Sequence, residues 1–258
     1  MHLIDSDLRS AVRPFARDGA VPRPSIRPIH AWYQPVKFVG EWLLALLALV
    51  PLGIVIGLLA LLVKLTSPGA AFYRQKRMGL NGRIFTMVKI RTMIENSEVG
   101  TGPVWSQPGD ARVTQIGRIL RDTHLDELPQ IWNVLRGEMS LVGPRPERPE
   151  IVATLKESIP QYCDRLAVRP GLSGLAQVEL PPDSDQATVR KKLAFDRHYV
   201  TRLSPWLDVL ILVSTCLYLF SALLKTLCHS LVRSYRRGAE SMFAQSTSMQ
   251  DAETVPTA

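Results

Sequence analysis

Two long apolar runs bracket a more polar middle section of the chain. The first run, 42–63, contains 22 consecutive uncharged residues, and the second, 209–224, contains 16. A helix needs roughly 20 apolar residues to cross the hydrocarbon core of a membrane. The first run is therefore long enough to be a membrane helix, whereas the second is short for a span and long for a core helix.

A proline inside the first run changes this interpretation. Pro51 divides the run into halves of 9 and 12 residues, and proline removes a backbone donor and clashes with the preceding turn. Each half is then roughly 14 to 18 Å long, which is near half of a bilayer core. Basic residues flank the run on both sides, which favours a cytoplasmic location for both ends. We therefore predict a re-entrant membrane helix over 37–66, broken at Pro51, and a kinked spanning helix remains the alternative.

The second run and the two ends of the chain are simpler. Basic residues again lie on both sides of the run, so we predict an apolar C-terminal helix over 203–231 that lies at the membrane interface or packs on the domain, with a spanning helix as the alternative. Residues 1–36 contain five arginines and five prolines, which predicts a basic, largely irregular tail at the membrane surface. The polar segment 232–258 is typical of a disordered tail.

The section between the runs, 67–202, has the pattern of a small domain. Apolar and polar residues alternate on both sides of Asn81-Gly82, which predicts a β-hairpin. Apolar residues at helical spacing follow, including a predicted helix from about 127 to 136. The expected fold class is α+β, mostly helical, with the hairpin inside the domain.

Composition narrows the classes of function. The formal net charge of +8 suits nucleic acid, an acidic membrane surface or phosphate-bearing substrates. Aromatic residues are not interleaved with the basic ones, so nucleic-acid binding is a poor interpretation. The three cysteines form no CxxC pair, which argues against a disulfide framework or a zinc site and fits a reducing cytoplasm.

Two adjacent carboxylates are the most informative local feature. Proline is tolerated only in the first turn of a helix, so Pro129 requires that this helix begin near Asp126. Asp126 and Glu127 then lie at the positive end of the helix. A capping role for Asp126 and a favourable first-turn position for Glu127 explain both acids without any chemistry.

Candidate phosphate ligands lie before and after the acid pair. Arg145 stands between two prolines, and a rigid arginine suits bidentate contact with phosphate oxygens. Lys89 and Arg91 lie two residues apart in the second predicted strand, so their side chains share a face. Arg169 precedes a Pro-Gly turn. A surface ion pair for Arg145, a solvated strand face for Lys89 and Arg91, and a structural role for Arg169 are the alternatives.

Motifs in order along residues 36–226 resemble those of the bacterial sugar transferases, the monotopic polyprenyl-phosphate phosphoglycosyl transferases. The matching segments are 67–69, 72–79, 89–93, 122–146, 169–174 and 196–199. The resemblance implies a re-entrant helix broken at Pro51 that carries a small catalytic domain at the cytoplasmic face of the bacterial inner membrane. His124 departs from the pattern, since a small hydroxyl residue is common there.

The resemblance also implies a catalytic role for the acid pair. Asp126 would attack the phosphate attached to the sugar and expel a nucleoside monophosphate, and Glu127 would be associated with Mg²⁺. The four basic residues Lys89, Arg91, Arg145 and Arg169 would bind substrate phosphate.

The expected reaction is transfer of a phosphosugar from a nucleotide sugar, with UDP as the expected nucleotide, to undecaprenyl phosphate. It would initiate exopolysaccharide or related glycan biosynthesis. A non-catalytic membrane scaffold in a polysaccharide assembly complex and a nucleotide-sugar hydrolase are the rival functions. The expected partners are the donor, undecaprenyl phosphate and membrane lipids but no nucleic acid, and the sequence leaves open a glycan-assembly complex or a homo-oligomer.

Overall fold

The structure is a computed structural model, and it describes residues 24–95, 97, 109–159, 161–181, 186–222 and 224. Its α-helices are α1 (Tyr33–Thr66), α2 (Gln115–Asp122), α3 (Ile131–Leu135), α4 (Pro149–Ser158), α5 (Leu175–Glu179), α6 (Gln186–Thr201) and α7 (Pro205–Ala222). Short 3₁₀ helices cover Leu80–Gly82, Leu125–Gln130 and Tyr162–Ala167. The strands are β1 (Phe72–Met78), β2 (Ile84–Ile90), β3 (Ser140–Val142) and β4 (Gly171–Ser173). The fold is mostly helical, as predicted.

The predicted β-hairpin is confirmed. Strands β1 and β2 pair antiparallel over their whole length, and Asn81 takes a left-handed conformation with φ 53° in the connecting turn. Asparagine tolerates this region better than most residues, which is why the Asn-Gly signal located the turn. The parallel pair β3–β4 was not predicted, because strands of three residues carry almost no periodic signal.

Helix α1 differs from the predicted helix-break-helix. It begins at Tyr33 and runs to Thr66 as one helical element that includes Pro51. Proline removes one backbone hydrogen bond and favours a bend, but neighbouring turns and tertiary packing can hold the helix together. Helices α1 and α7 are both long and apolar enough to cross a membrane by length and composition.

One side of α1 packs on the domain along both halves of the helix. Ala45 is buried with Met139 from the turn before β3, and Val63 is buried with Leu120 of α2. The opposite side exposes a continuous series of large apolar residues: Val36, Val39, Leu43, Leu47, Val50, Ile54, Leu58, Leu61 and Leu65. The domain therefore covers one stripe of the helix, and the other stripe is available to lipid.

The residues before α1 are partly packed. Ser25 donates hydrogen bonds from its amide and its hydroxyl to Asp164, both at 2.7 Å, and Ile26 packs with the core around Tyr199. The end of the predicted tail 1–36 is therefore part of the domain. Residues 1–23 and the predicted disordered tail 232–258 lie outside the described residues.

Several buried polar residues, together called the Asp208 network, connect α1 to α7 by hydrogen bonds. The carboxylate of Asp208 accepts hydrogen bonds from Tyr33 (2.8 Å), Lys37 (2.7 Å) and Tyr199 (2.7 Å). Lys37 also pairs with Glu41 at 2.8 Å, and Glu41 in turn accepts a hydrogen bond from the hydroxyl of Ser140. These residues connect both apolar helices to α6 and β3.

Candidate active site

The acid pair lies in the 3₁₀ helix Leu125–Gln130, between α2 and α3. His124 caps this helix in a left-handed conformation with φ 55°, and its ring contacts that of Tyr218 on α7. Pro129 lies inside the 3₁₀ helix and has no N–H to donate. The helix predicted from about 127 to 136 is therefore present, with a 3₁₀ first half and an α-helical second half.

Asn133 of α3 holds this segment against β2. Its side chain is 1% exposed, and its amide nitrogen donates to the backbone oxygen of Thr86 at 2.8 Å. Its amide oxygen accepts from the backbone nitrogen of Val88 at 3.4 Å. Asn133 is not among the site residues predicted from the sequence, although a polar residue within the apolar face of a short helix was a usable signal.

Glu127 is bound by two cations from different elements. Lys89 of β2 lies 2.6 Å from Glu127 Oε1. Arg145 contacts both oxygens, Oε1 at 2.6 Å and Oε2 at 3.2 Å. The structure thus brings together three residues that the sequence predicted as site residues, and all three ion-pair or hydrogen-bond contacts converge on Glu127.

The loop that carries Arg145 is itself held by two arginines that the sequence analysis did not single out. Arg165 donates to the backbone oxygen of Arg145 at 2.9 Å and pairs with Asp196 at 2.8 Å. Arg77 donates to the backbone oxygen of Pro146 at 2.8 Å. Because the backbone is anchored at the consecutive carbonyls of Arg145 and Pro146, the Arg145 guanidinium has a restricted reach. Nothing local in the sequence pairs these residues.

The pKa values of the two acids are shifted in opposite directions. Burial alone would raise the pKa of Glu127, but the charges and hydrogen bonds of Arg145 and Lys89 outweigh burial and hold this pKa well below its usual value. The pKa of Asp126 is raised, chiefly by burial and also by the neighbouring Glu127, against the lowering effect of Lys89, Arg145 and Arg121. The same two cations therefore stabilise one carboxylate far more than the other.

Asp126 is buried at 7% exposure but differs from Glu127 in its contacts. Among the described residues, the hydrogen bonds of Lys89 and Arg145 go to Glu127 and not to Asp126. An ionised carboxylate that is poorly solvated and weakly hydrogen-bonded is a better nucleophile than one that is fully paired. Glu127 is therefore the anchored acid, whereas these two cations do not hold Asp126 by hydrogen bonds.

The remaining two predicted phosphate ligands lie apart from the acid pair. The guanidinium of Arg91 donates to the backbone oxygen of Ser67, just after α1, at 2.9 Å. Arg169 donates to the backbone oxygen of Gly137 at 3.0 Å and stacks on the ring of Phe38, with 4.4 Å between the guanidinium carbon and the ring centroid. Neither arginine is joined to Glu127 by the contacts of the described residues, and their predicted role in phosphate binding stays a prediction.

The side chains present limit how a magnesium ion could bind. In the described part of the chain no group of three or more His, Cys, Asp or Glu side chains could hold a metal. Mg²⁺ is usually bound by one or two carboxylates together with water and substrate phosphate oxygens. The carboxylate of Glu127 fits the part of such a ligand, because its Oε2 has a single contact at 3.2 Å and is the less occupied of its two oxygens.

The chain is similar to a known protein family and to several known proteins. A model of the family described as bacterial sugar transferase matches residues 32–222. The exopolysaccharide production protein ExoY of Sinorhizobium fredii is 38% identical over 224 residues, which cover 81% of this chain and 95% of that protein. A UDP-glucose:undecaprenyl-phosphate glucose-1-phosphate transferase of Caulobacter vibrioides is 46% identical over 61% of this chain and 60% of that protein.

A longer relative matches a smaller share of its own length. The UDP-N-acetylgalactosamine-undecaprenyl-phosphate N-acetylgalactosaminephosphotransferase of Aeromonas hydrophila is 46% identical over 60% of this chain. The matched region spans only 37% of that protein.

Proposed function

Because the chain belongs to the bacterial sugar transferase family, we propose that it transfers a sugar 1-phosphate from a UDP-sugar to undecaprenyl phosphate. The names of the Caulobacter and Aeromonas relatives describe this reaction with glucose and with N-acetylgalactosamine. The name of the ExoY relative supports a role in exopolysaccharide production.

The proposal depends on the different environments of the two adjacent acids. Lys89 and Arg145 hold Glu127 ionised and fixed, while Asp126, its neighbour in the chain, is buried with a raised pKa. A donor diphosphate would bring oxygens that compete for the same two cations. Both cations would then lie beside the phosphate that Asp126 attacks.

The reaction would proceed in two displacements. A carboxylate oxygen of Asp126 attacks the phosphorus that bears the sugar, and the bond from this phosphorus to the oxygen of UMP breaks. A phosphate oxygen of undecaprenyl phosphate then attacks the same phosphorus and breaks its bond to Asp126. The product is a sugar diphospholipid, and the free carboxylate is restored.

Charge neutralisation dominates phosphoryl transfer. Mg²⁺, when bound, would supply such neutralisation, with Glu127 as its protein ligand. Lys89 and Arg145 would orient the diphosphate. The guanidinium of Arg145 is fixed through its backbone, so it can bind phosphate without reorganising the loop.

Docking of both halves of α1 on one domain supports a re-entrant placement at the cytoplasmic face of the membrane. Tyr33 and Lys37 contact Asp208 near one end of the helix, and Val63 packs with Leu120 near the other. A helix that spanned the membrane would put these two ends on opposite sides of the bilayer. One small domain in contact with both ends favours a common side, and basic flanks favour the cytoplasm.

This topology is tested by labelling single cysteines in a variant that lacks the three native ones. Ala31→Cys and Ala70→Cys are a matched pair at exposed positions on either side of α1. A membrane-impermeant maleimide should label both in inverted membrane vesicles and neither in right-side-out vesicles. Labelling of the two positions from opposite sides would overturn the re-entrant placement.

The reaction is tested with purified protein, Mg²⁺, a panel of UDP-sugars and undecaprenyl phosphate. UMP should be released with at least one donor, and mass spectrometry after donor alone should find a sugar phosphate on the peptide that contains Asp126. Absence of UMP with every donor would favour a scaffold. Continuous UMP release without undecaprenyl phosphate would favour a hydrolase.

A further inference from the structure

The two residues before Asp126 are held by different apolar helices. Leu125 packs against a cluster that contains Val63 of α1. The ring of His124 lies against that of Tyr218 of α7, with 5.7 Å between the ring centroids and 56° between the ring planes. Aromatic pairs at such a separation attract one another when the rings are tilted. The start of the 3₁₀ helix that carries the acids is therefore joined to α1 through Leu125 and to α7 through His124.

The contact with Tyr218 acts on the backbone at the start of this 3₁₀ helix. His124 has a left-handed conformation with φ 55°, which costs free energy for residues other than glycine and persists where surrounding contacts hold it. Its backbone oxygen accepts a hydrogen bond from the amide of Glu127 at 3.2 Å. The side chain of His124 is thus tied to α7 and its backbone to the acid pair, so a shift of α7 reaches the acids through one residue.

Helix α7 is fastened to the domain near its start, in its middle and near its end. Asp208 accepts hydrogen bonds near the start, Thr215 shares a hydrogen bond with Ser173 of β4, and Tyr218 contacts His124 near the end. The opposite side of α7 exposes large apolar residues: Trp206, Val209, Leu210, Val213, Leu217 and Phe220. An apolar side of this kind is suited to lipid. Tyr218 therefore joins a helix with a surface available to lipid to the start of the segment that carries the acids.

The contacts that prepare the donor side come from other elements. Lys89 of β2 and Arg145 hold Glu127, Arg165 holds the backbone of Arg145, and Asn133 holds α3 against β2. None of these contacts involves a residue of α7. A donor bound to the two cations should therefore not depend on α7. The acceptor differs, because its long apolar chain lies in lipid and only its phosphate can approach the acid pair from there.

We propose that Tyr218 is a positioning residue for the acceptor step, an inference that rests on the proposed function. By holding His124, it keeps the end of α7 against the acid pair, so that undecaprenyl phosphate reaches Asp126 along the apolar surface of this helix. The first displacement, in which UMP leaves, does not need the contact. The second displacement needs it, because the acceptor phosphate must attack the phosphorus on Asp126 as the bond from this phosphorus to Asp126 breaks.

Three variants and one matched control test the role of the contact. Tyr218→Leu removes the ring, and Tyr218→Phe keeps the ring and removes only the hydroxyl. His124→Asn removes the other ring and supplies a residue that tolerates the left-handed conformation. Phe220→Leu is the control, because it removes an aromatic ring from the same helix at a position that is 62% exposed, compared with 54% for Tyr218. Thermal unfolding of each preparation reports whether it is folded.

The two displacements are measured separately. Rapid mixing with the best UDP-sugar alone gives the rate of the UMP burst, and steady-state assays at varied undecaprenyl phosphate give kcat and the KM for the acceptor. Tyr218→Leu and His124→Asn should lower kcat/KM for undecaprenyl phosphate roughly threefold to tenfold, chiefly through KM, which corresponds to the loss of one aromatic pair. The burst rate should change less than about twofold in every variant.

The matched variants should identify the ring contact as the cause. Tyr218→Phe should retain the acceptor kinetics of the unmodified protein, and Phe220→Leu should change them less than about twofold. The double variant Tyr218→Leu, His124→Asn should be no worse than either single variant, because both changes remove the same contact. Should Tyr218→Leu fail to fold, His124→Asn carries the same test from the other side of the contact.

Other outcomes overturn the inference. Equal slowing of both displacements, or a lower unfolding temperature with unchanged acceptor kinetics, would make the contact structural only. Additive losses in the double variant would show that the two rings do not act through each other. A loss in Phe220→Leu as large as that in Tyr218→Leu would assign the effect to any aromatic ring on α7. If the unmodified protein releases no UMP with any donor, the proposed function fails and this inference fails with it.

Discussion

Asp126 and Asp208 are both buried, but the hydrogen bonds around the two carboxylates differ. The carboxylate of Asp208 accepts from Tyr33, Lys37 and Tyr199. Lys89 and Arg145, whose charges also act on Asp126, form their ion pairs with Glu127 instead. A buried acid whose oxygens are all engaged holds elements together, whereas one that is left under-engaged is available for chemistry.

Removing the carboxylate that we propose as the nucleophile is the strongest test of this contrast. We expect Asp126→Asn to lower UMP release roughly thousandfold or more, because an amide cannot act as the covalent nucleophile. The folded protein should be retained, since a neutral amide costs less to bury than a carboxylate. Activity assays and thermal unfolding of the same preparation check both parts. Full activity in this variant would exclude Asp126 as the nucleophile.

Removing the anchored carboxylate should act on folding as well as on activity. Glu127→Gln leaves Lys89 and Arg145 without their counter-charge in a largely buried site. Breaking a buried pair in this way costs about 3–5 kcal/mol of stability. We expect a clearly lower unfolding temperature than for Asp126→Asn, together with lost activity. An unfolding temperature equal to that of the unmodified protein would show that the ion pairs contribute little.

The Asp208 network should affect stability alone. Asp208→Asn weakens its hydrogen bonds to Tyr33, Tyr199 and Lys37, and we expect a loss of about 1–3 kcal/mol. Lys37 keeps Glu41 as a partner, which limits the damage. At temperatures well below unfolding, kcat and KM should match those of the unmodified protein. A selective loss of kcat in fully folded protein would show that this network also positions the active site.

The smallest expected effect is a difference in pH dependence between the two active-site variants. Burial raises the pKa of Asp126 above its usual 3.8, so ionisation in the folded state costs stability as the pH rises through that raised pKa. The stabilisation by Asp126→Asn should therefore grow as the pH rises. Unfolding temperatures measured from pH 4 to pH 8 check this slope.

Glu127 should show the opposite dependence. Its folded-state pKa lies well below the usual 4.5, so its stabilising effect is complete above 4.5 and is lost as the pH falls towards the folded-state value. The cost of Glu127→Gln should therefore be greatest near neutral pH and smaller in acid. Parallel pH profiles for the two variants would contradict the assigned difference between the acids.

Local sequence patterns predicted the hairpin and the position of the two acids. The Asn81-Gly82 turn and the alternation of residues beyond it predicted the hairpin. They also predicted the strand face on which Lys89 lies, and the structure shows that Lys89 contacts Glu127 from this face. Pro129 gave the position of the acids at a helix start. Each of these features depends on residues close together in the chain, where turn and helix chemistry act directly.

Long-range packing decided the rest. Arg91 shares the alternation of Lys89, but it follows the last residue of β2 and its guanidinium turns to Ser67. Arg169 is held by Phe38 and Gly137, and no local pattern predicts those partners. At Pro51 a local rule gave a wrong prediction. Proline usually breaks a helix, but α1 includes Pro51. The domain packs on both halves of α1 and offsets the lost hydrogen bond.

The Asp208 network also constrains the order in which the protein is made. Lys37 leaves the ribosome 171 residues before Asp208, the acid that holds it in the finished protein. At synthesis rates of about 5–20 residues per second, this delay is roughly 9–34 seconds. During that interval the first apolar helix has its own Glu41 as the nearby counter-charge for Lys37. Final docking of this helix must therefore wait until Asp208 has been synthesised.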